Sequence, residues 1–386
     1  MMKIGFDISQ TGKNKAGCGY YAYSIANSIE RVPSELEIWS YPNFGDFYYD
    51  SELQNNLPNG IAKNYFPLLS KFSEVTKFWN DNNLEMLLGE PDIIHSNNFW
   101  CPTQLKKTKL VYTLYDLSFI ENPNWTTERN RIGCFEGVVR AACYADWIVA
   151  ISENSKSHFL KVFPHFPEDR IKVIYPCTRY DAQGSINTFV KAKVDGLIAG
   201  EFWLSVGTIE PRKNQLNLVE AYASYLKRGG KPMPLVMAGG EGWLMSSFEE
   251  RIKQLGVDAK VIRLGYVSDE ELCWLYKNCF ANIYTSFFEG FGLPVLEGMQ
   301  FGAATIASNA SSIPEICDGA SILVDPYDVD DLAEVLYKLS MNESHRESLR
   351  GAAIIQKDNF SWEKSAQQML DLYSVVYELP KRFSKS

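Results

Sequence analysis

The sequence predicts an α/β protein in two domains, each a mainly parallel sheet covered by helices on both faces. Short β-rich runs alternate with helical stretches through the first half, and such alternation builds parallel sheets. A second strand–loop–helix opening of the same kind begins at Glu201. Length agrees with both: at ~150 residues per domain, 386 residues make two domains, or about two and a half.

In the first half, strands are expected at 3–8, 35–40, 92–95, 110–114, 147–151 and 171–174, with helices at 19–31 and 127–145. Residues 179–200 carry Gly184, Gly196 and Gly200 with weak periodicity and suit a linker. Phe202 to Val206 then reads as a strand. The loop Gly207-Thr208-Ile209-Glu210-Pro211-Arg212-Lys213 leads to Asn214, an expected N-cap. Leu218, Tyr222 and Tyr225 make one helical stripe, and Gly229 ends that helix. Strands follow at Leu235–Ala238 and Val261–Leu264. Ser268 and Glu271 form a capping box for the next helix. Strand Ala281–Thr285, helix 294–301 and strand Ala304–Ala307 continue the alternation. After Ser361, the residues Trp362, Ala366, Met369, Tyr373 and Val376 share one face of a long helix, which needs an apolar surface. The tail from Lys381 to Lys385 is expected to fray.

Composition excludes several classes. At 46% hydrophobic and 22% charged residues, the chain is neither disordered, collagen-like nor coiled coil. A net charge of −9 leaves no broad nucleic-acid footprint. No apolar run reaches the ~18–20 residues that span a bilayer. Met1 to Ile8 includes Asp7 and reads as a first strand, not a signal peptide. The eight cysteines form no C-x-x-C pair and the four histidines lack metal-ligand spacing. A cytoplasmic protein without a structural metal is expected.

Four motifs carry candidate chemistry. Gly17-Cys18-Gly19-Tyr20-Tyr21-Ala22 precedes a helix, where glycines let backbone N–H groups approach a phosphate. It is a poor dinucleotide fingerprint, because the first strand ends well before it and the second lacks a ribose-binding acid. A flexible glycine loop facing a cleft fits better. Arg212-Lys213 lies between a strand and a helix, where open α/β sheets bind ligands, although a solvated pair accounts for it equally well. Arg grips phosphate bidentately and Lys adds a point charge.

The strongest signal is Phe287 to Gly298. Glu289 closes a strand, and the glycines Gly290 and Gly292, with Phe291 between them and Leu293 after, form a turn. Pro294 opens a helix. Glu297 follows Glu289 by eight residues, and a carboxylate in so apolar a stretch needs partners. Two acids reaching one cleft suit a polyhydroxyl ligand. Asp116, after strand 110–114, could lie at a cleft edge, and a turn cap explains it as well. Asp328-Val-Asp330 reads as a helix N-cap rather than a metal site. Lys106-Lys107-Thr-Lys109 offers contact with an anionic membrane surface, a solvated loop being the simpler reading.

Together these residues resemble the retaining glycosyltransferases of family four, whose fold is two Rossmann-like domains facing each other across a cleft (GT-B). The resemblance spans nearly the whole chain. It rests on Val206 to Asn214 with Leu218 to Tyr222, Gly265 to Leu272, the Glu289/Glu297 pair, and Phe301 to Ala304 through Ser311 to Glu315. Gly17/Gly19, Asp92/His95, Asp116 to Ser118 and Ile151 to Glu153 match more loosely. The subgroup is similar to bacterial mannosyltransferases and hexosyltransferases of surface-polysaccharide assembly.

The resemblance implies an acceptor-side domain at 1–180, joined by a C-terminal helix at about 364–386, a linker at about 181–198 and a donor domain at 199–362. It implies hexose transfer from a nucleotide diphosphate sugar, GDP-mannose being the first candidate, to a glycan or lipid-linked acceptor. No metal or other cofactor is implied. Arg212 and Lys213 would hold the diphosphate, Glu297 the ribose and Glu289 the sugar hydroxyls. Thr208 and Gly290 to Leu293 would line the donor, Tyr266-Val267 would lie against the base, and Gly17–Gly19 would cover the phosphates. Asp116 would sit at the reacting centre. Two positions depart from the pattern: Tyr115 stands where the family usually has His, and Cys177 where Gly is common. Tyrosine (pKa ≈ 10) is a poor proton acceptor at neutral pH. A non-catalytic nucleotide-sugar-binding subunit and a GT-B-fold sugar-nucleotide epimerase are the rival readings.

Overall fold

The computed structural model describes residues 2–13, 15, 17–45, 50, 52–53, 55, 57, 69, 71–180, 193–242 and 247–382. Two compact units emerge. One comprises Met1–Glu121, Glu128–Pro176 and Phe360–Ser386; the other comprises Asn122–Thr127 and Cys177–Asn359.

The first unit holds strands β1 (Met2–Asp7), β2 (Leu36–Tyr41), β3 (Ile93–Ser96), β4 (Lys109–Leu114), β5 (Trp147–Ala150) and β6 (Ile171–Val173). All pair in parallel, in the order β2-β1-β3-β4-β5-β6. Ile93–Ser96 and Trp147–Ala150 are buried throughout, as befits strands covered on both faces. The helices are α1 (Gly17–Arg31), α2 (Phe72–Trp79), α3 (Leu84–Leu87), α4 (Ser118–Glu121), α5 (Glu128–Tyr144) and α6 (Glu153–Val162).

The C-terminal helix, Trp362–Glu378, packs on α1 in this unit. All five residues of its expected stripe are buried. Tyr373 Oη lies 2.6 Å from His95 Nδ1, and His95 Nε2 lies 2.9 Å from Thr113 Oγ1. Thr113 donates in turn to Asn97 Oδ1. That order leaves the His95 proton on Nε2, so Tyr373 donates to Nδ1. The expected fraying of the tail is corrected at its start. Lys381 Nζ donates to Thr108 O (2.6 Å) and Arg382 N–H to Asp146 Oδ1 (2.6 Å), because the buried Asp146 carboxylate needs partners. Residues 383–386 lie outside the described ones.

The second unit contains β7 (Trp203–Val206), β8 (Leu235–Ala238), β9 (Val261–Gly265), β10 (Ala281–Tyr284), β11 (Thr305–Ser308) and β12 (Ile322–Val324). They are parallel, in the order β12-β11-β10-β7-β8-β9. This is the Rossmann order, with its reversal between β7 and β10. Around the sheet lie α7 (Gln215–Lys227), α8 (Phe248–Leu255), α9 (Asp269–Asn278), α10 (Leu293–Gln300), α11 (Ile313–Cys317), α12 (Val329–Met341) and α13 (Glu343–Gln356).

Local chemistry sets these boundaries. The Ser268/Glu271 capping box opens α9. Two glycines close α7: Gly229 N–H donates to Leu226 O and Gly230 N–H to Tyr225 O, with Gly229 left-handed at φ +84°. Asn214 sits at the N-cap of α7 but does not cap it with its side chain. Its backbone is left-handed (φ +61°), and its Nδ2 donates to Thr285 O and Pro326 O instead. Most of the expected linker is not described. Residues 181–192 lie outside the described ones, whereas Val194 is buried in this unit's core with Phe202 and Leu275. Asn122–Thr127 also packs here, Trp125 stacking on Phe287 at 6.2 Å.

Candidate active site

The reversal of strand order in the second sheet leaves a crevice outside the carboxyl ends of β7 and β10. The chain places its cations and one carboxylate there. Arg212 and Lys213 follow β7 in a single 3₁₀ turn, Pro211–Lys213. Glu289 follows β10. Phe287 N–H donates to Arg212 O at 2.9 Å, which ties the two loops together.

Arg212 Nη1 donates to Glu289 Oε2 (2.8 Å) and to Phe288 O (2.9 Å), while Nη2 donates to Glu210 Oε1 (2.9 Å). Lys213 Nζ donates to Glu289 Oε1 and to Tyr284 Oη, both at 2.7 Å. Tyr284 Oη donates to the same Glu289 oxygen at 2.8 Å. Burial alone would raise the Glu289 pKa, but the Arg212 and Lys213 charges outweigh it and hold the carboxyl at about 2. Glu210 is raised by burial, against the pull of Arg212 and Lys213. Both cations keep an accessible fraction, 18% of the Arg212 side chain and 15% of Lys213, so a ligand in the crevice can reach them.

Serines fix the glycine turn. Ser311 Oγ accepts from Glu289 N–H at 2.8 Å, and Ser312 Oγ lies 2.9 Å from Glu289 O and 2.7 Å from Phe291 O. Gly290 and Phe291 are buried, and Leu293 is half-buried. Gly292 is required twice over: its φ is +115°, and a Cβ there would lie 2.4 Å from Ile313 Cδ1. Nearby, a Cβ on Gly239 would lie 2.1 Å from Gly207 O, so the loops after β7 and β8 touch backbone to backbone. Thr208, in the first of them, is half-buried and its carbonyl accepts from Gln215 Nε2 at 2.9 Å.

Glu297 sits inside α10, buried, with different partners. Its Oε1 accepts from Arg179 Nε at 3.1 Å and its Oε2 from Tyr276 Oη at 3.0 Å. Burial raises its pKa, opposed by the Arg179 charge. Sequence reasoning missed Arg179, Tyr276 and the ion-pairing role of Glu210. Tyr266 is 68% exposed, with its carbonyl accepting from Lys193 Nζ, and Val267 beside it is buried.

The D-x-D segment forms a helix cap. Asp328 Oδ1 accepts from Asp331 N–H as the N-cap of α12, and Asp330 pairs with Arg228. Among the described residues, no group of three or more His, Cys, Asp and Glu side chains is arranged to hold a metal ion. No described helix is long and apolar enough to cross a membrane.

Comparison with known proteins agrees with this architecture. Residues 199–356 match the family described as glycosyl transferases group 1, and residues 16–180 match glycosyltransferase family 4. The O-antigen chain mannosyltransferase B of Escherichia coli is 30% identical over 287 residues, covering 74% of each chain. The chain belongs to glycosyltransferase family four. The serotype-specific mannosyltransferase WbdA of E. coli is also 30% identical, over 61% of this chain, which spans only 30% of WbdA's length. Among solved structures, Anabaena HepE in complex with UDP and glucose superimposes with a TM-score of 0.71 at 20% identity, over 97% of this chain and all of that one. WaaG, a glycosyltransferase of lipopolysaccharide biosynthesis, gives 0.69 at 15%, over 96% and 99%. Both show the GT-B fold.

In this family-four glycosyltransferase the remaining candidate residues belong to the first unit. Gly17 opens α1, and a Cβ there would meet nothing within 4 Å. Gly19 is packed, since a Cβ would lie 2.1 Å from Gln10 O. Asp116 Oδ1 accepts from Ser118 N–H at 2.8 Å, the geometry of a turn cap. Tyr115 is buried, its Oη donating to Asn97 O at 2.8 Å and lying 3.3 Å from Cys18 O. Burial pushes its pKa well up, so it does not replace the histidine as a proton acceptor.

Proposed function

We propose that the chain is a retaining, metal-independent hexosyltransferase that moves mannose, with GDP-mannose the first donor candidate, to a glycan or lipid-linked acceptor in surface-polysaccharide synthesis. The observation that carries it is the cluster of Arg212, Lys213 and Glu289 at the switch point, where two cations and an ionised carboxylate meet within hydrogen-bond distance. The E. coli relatives, an O-antigen chain mannosyltransferase and a serotype-specific mannosyltransferase, support mannose and O-antigen assembly.

In the reaction, the bond from the sugar's C1 to the diphosphate oxygen breaks and a bond from C1 to the acceptor oxygen forms on the same face. The acceptor proton goes to the departing diphosphate oxygen. Arg212 and Lys213 would stabilise the charge that this oxygen gains, in a site where preorganised donors act strongly. Glu289, ionised by those same cations, would accept hydrogen bonds from the hexose hydroxyls. Glu297 would accept from the ribose, and Tyr266-Val267 would border the base. Gly17–Gly19 would face the phosphates and Asp116 the acceptor. The work would be cytoplasmic, and the exposed Lys106 and Lys107 would give peripheral contact with the inner membrane surface.

The second reading, a non-catalytic nucleotide-sugar-binding subunit, is favoured by Tyr115, whose hydroxyl is already engaged. One assay decides. The protein is incubated with GDP-mannose and UDP-hexoses, with and without a mannan oligosaccharide, and products are read by NMR. A new α-linked mannoside and free GDP support the proposal. Binding without turnover favours the subunit, and an epimerised donor favours the epimerase.

A further inference from the structure

Arg179 stands outside every motif in the sequence, yet it forms an ion pair with Glu297. Its Nε donates to Glu297 Oε1 and its Nη1 to Asp269 Oδ1 at 3.0 Å, and the guanidinium lies 5.2 Å from the Tyr180 ring centroid. Tyr180 packs edge-on against Phe301, and Tyr276 stacks on the same ring. The arginine is therefore braced at Asp269 and at Tyr180. A carboxylate offers about four lone-pair positions. Among the described residues, Arg179 and Tyr276 fill one on each oxygen of Glu297, which leaves two acceptor positions, the number a vicinal diol can use.

We propose that Arg179 is a positioning residue for Glu297, fixing the carboxylate so that its two remaining acceptor positions receive the vicinal hydroxyls of the donor's ribose. The inference rests on the nucleotide-sugar reading above and adds to it a residue held across 118 positions of sequence. Charge matters as well as aim. Among the described residues, the titratable groups facing Glu297 are Arg179 and Tyr180 from the segment after the first unit, and Asp269, Cys273 and Tyr276 from α9. Burial pushes the Cys273 thiol up to about 12 and both tyrosines upward, so they are neutral near pH 7. Asp269 disfavours the Glu297 anion, and Arg179, the cation facing it among the described residues, favours it. Without Arg179, Glu297 would hold its proton to higher pH, and a protonated carboxyl gives up acceptor capacity.

The test is calorimetric binding of GDP and UDP at about pH 6 and about pH 8.5. Proteins compared are wild type, Arg179→Gln, Arg179→Lys and Glu297→Gln, each checked for an unchanged melting profile. The variant-to-wild-type ratio of Kd cancels titration of the diphosphate itself. Arg179→Gln is expected to bind about tenfold or more weakly near pH 6, with the gap closing toward pH 8.5, since an acceptor lost to protonation costs up to about tenfold per pH unit. Arg179→Lys should recover most of the affinity, and Glu297→Gln should be weak at both pH values. Wild-type affinity in Arg179→Gln at both pH values overturns the proposal. Tighter binding overturns it too, because the arginine would then compete with the ribose. If wild type binds neither nucleotide, the donor reading itself falls. If Glu297→Gln loses affinity while Arg179→Gln does not, only the role of Arg179 falls. Should Arg179→Gln unfold, the Arg179→Lys profile decides: a wild-type pH response supports positioning by charge, and tenfold weaker binding at both pH values refutes it.

Discussion

Lys213 and Glu289 form an ion pair of 2.7 Å between loops that follow two different strands, and Arg212 closes on the other carboxylate oxygen at 2.8 Å. Glu289 therefore has a double role. It bridges the two loops, and its single negative charge offsets part of the charge of Arg212 and Lys213, with Glu210 pairing Arg212 as well.

That double role separates Glu289 from Glu297. Glu289→Gln keeps the shape but removes the counter-charge, so affinity for free nucleoside diphosphate should stay near wild type or tighten. Turnover should fall by about 10²–10³, the usual cost of removing one preorganised group at the reacting centre. Glu297→Ala should instead weaken nucleoside diphosphate binding. Parallel measurement of kcat and of Kd for GDP checks the split, and equal loss of affinity in both variants refutes it.

Two buried carboxyls titrate in opposite senses. Asp7 is pushed up to about 7 by burial, against hydrogen bonds from the Ser9 and Asn97 amides. Its ionisation opposes folding, so stability is full below its ordinary pKa of 3.8 and declines as pH rises toward about 7. Glu289, held at about 2 from an ordinary 4.5, contributes stability above pH 4.5 that is lost as pH falls toward 2. Melting temperature should thus peak at mildly acidic pH. Asp7→Asn should flatten the neutral side of the profile, and Glu289→Gln the acid side. A wild-type curve still rising between pH 5 and pH 8, about one and a half units either side of the ordinary histidine pKa, would contradict the Asp7 assignment.

Gly17 and Gly19 separate function from packing. Gly17 has open space where a Cβ would sit, whereas a Cβ at Gly19 would collide with Gln10 O at 2.1 Å. Gly19→Ala should lower the melting temperature, since the collision is with backbone that cannot rotate away. Gly17→Ala should melt like wild type but lose kcat/KM if the loop faces the phosphates. Full activity in a stable Gly17→Ala protein would remove the loop from the donor site.

Much of this was legible in the sequence because it was local. The glycine turn and Pro294 announced α10, the Ser268/Glu271 box announced α9, and the apolar runs announced most strands. What escaped was long-range or short. Strand Ile322–Val324 has three residues and no alternation to count. Trp125 packs with the second unit through ring contacts with Phe287 and Phe288, which no periodicity encodes. The Arg179–Glu297 pair joins residues 118 positions apart. Asn214 looked like a cap, but its amide found two carbonyls in other loops.

The last prediction concerns how the departing diphosphate is stabilised. Its leaving oxygen gains negative charge, and either a divalent cation or fixed protein charges must answer it. The D-x-D of this chain is spent elsewhere: Asp328 caps α12 and Asp330 pairs with Arg228. Arg212 and Lys213 stand at the switch point, and the first turn of α10 adds a helix N-terminus beside Glu289. Losing one preorganised donor to a developing charge costs ~2.7–4 kcal/mol, or about 10²–10³ in rate. Arg212→Ala and Lys213→Ala should each lose activity on that scale. Each also leaves Glu289 with one buried partner fewer, so melting curves must accompany the kinetics to separate misfolding from chemistry. EDTA should leave wild-type turnover intact. Activity that vanishes in chelator and returns with Mg²⁺ or Mn²⁺ would show that a metal, rather than this cation pair, carries the charge.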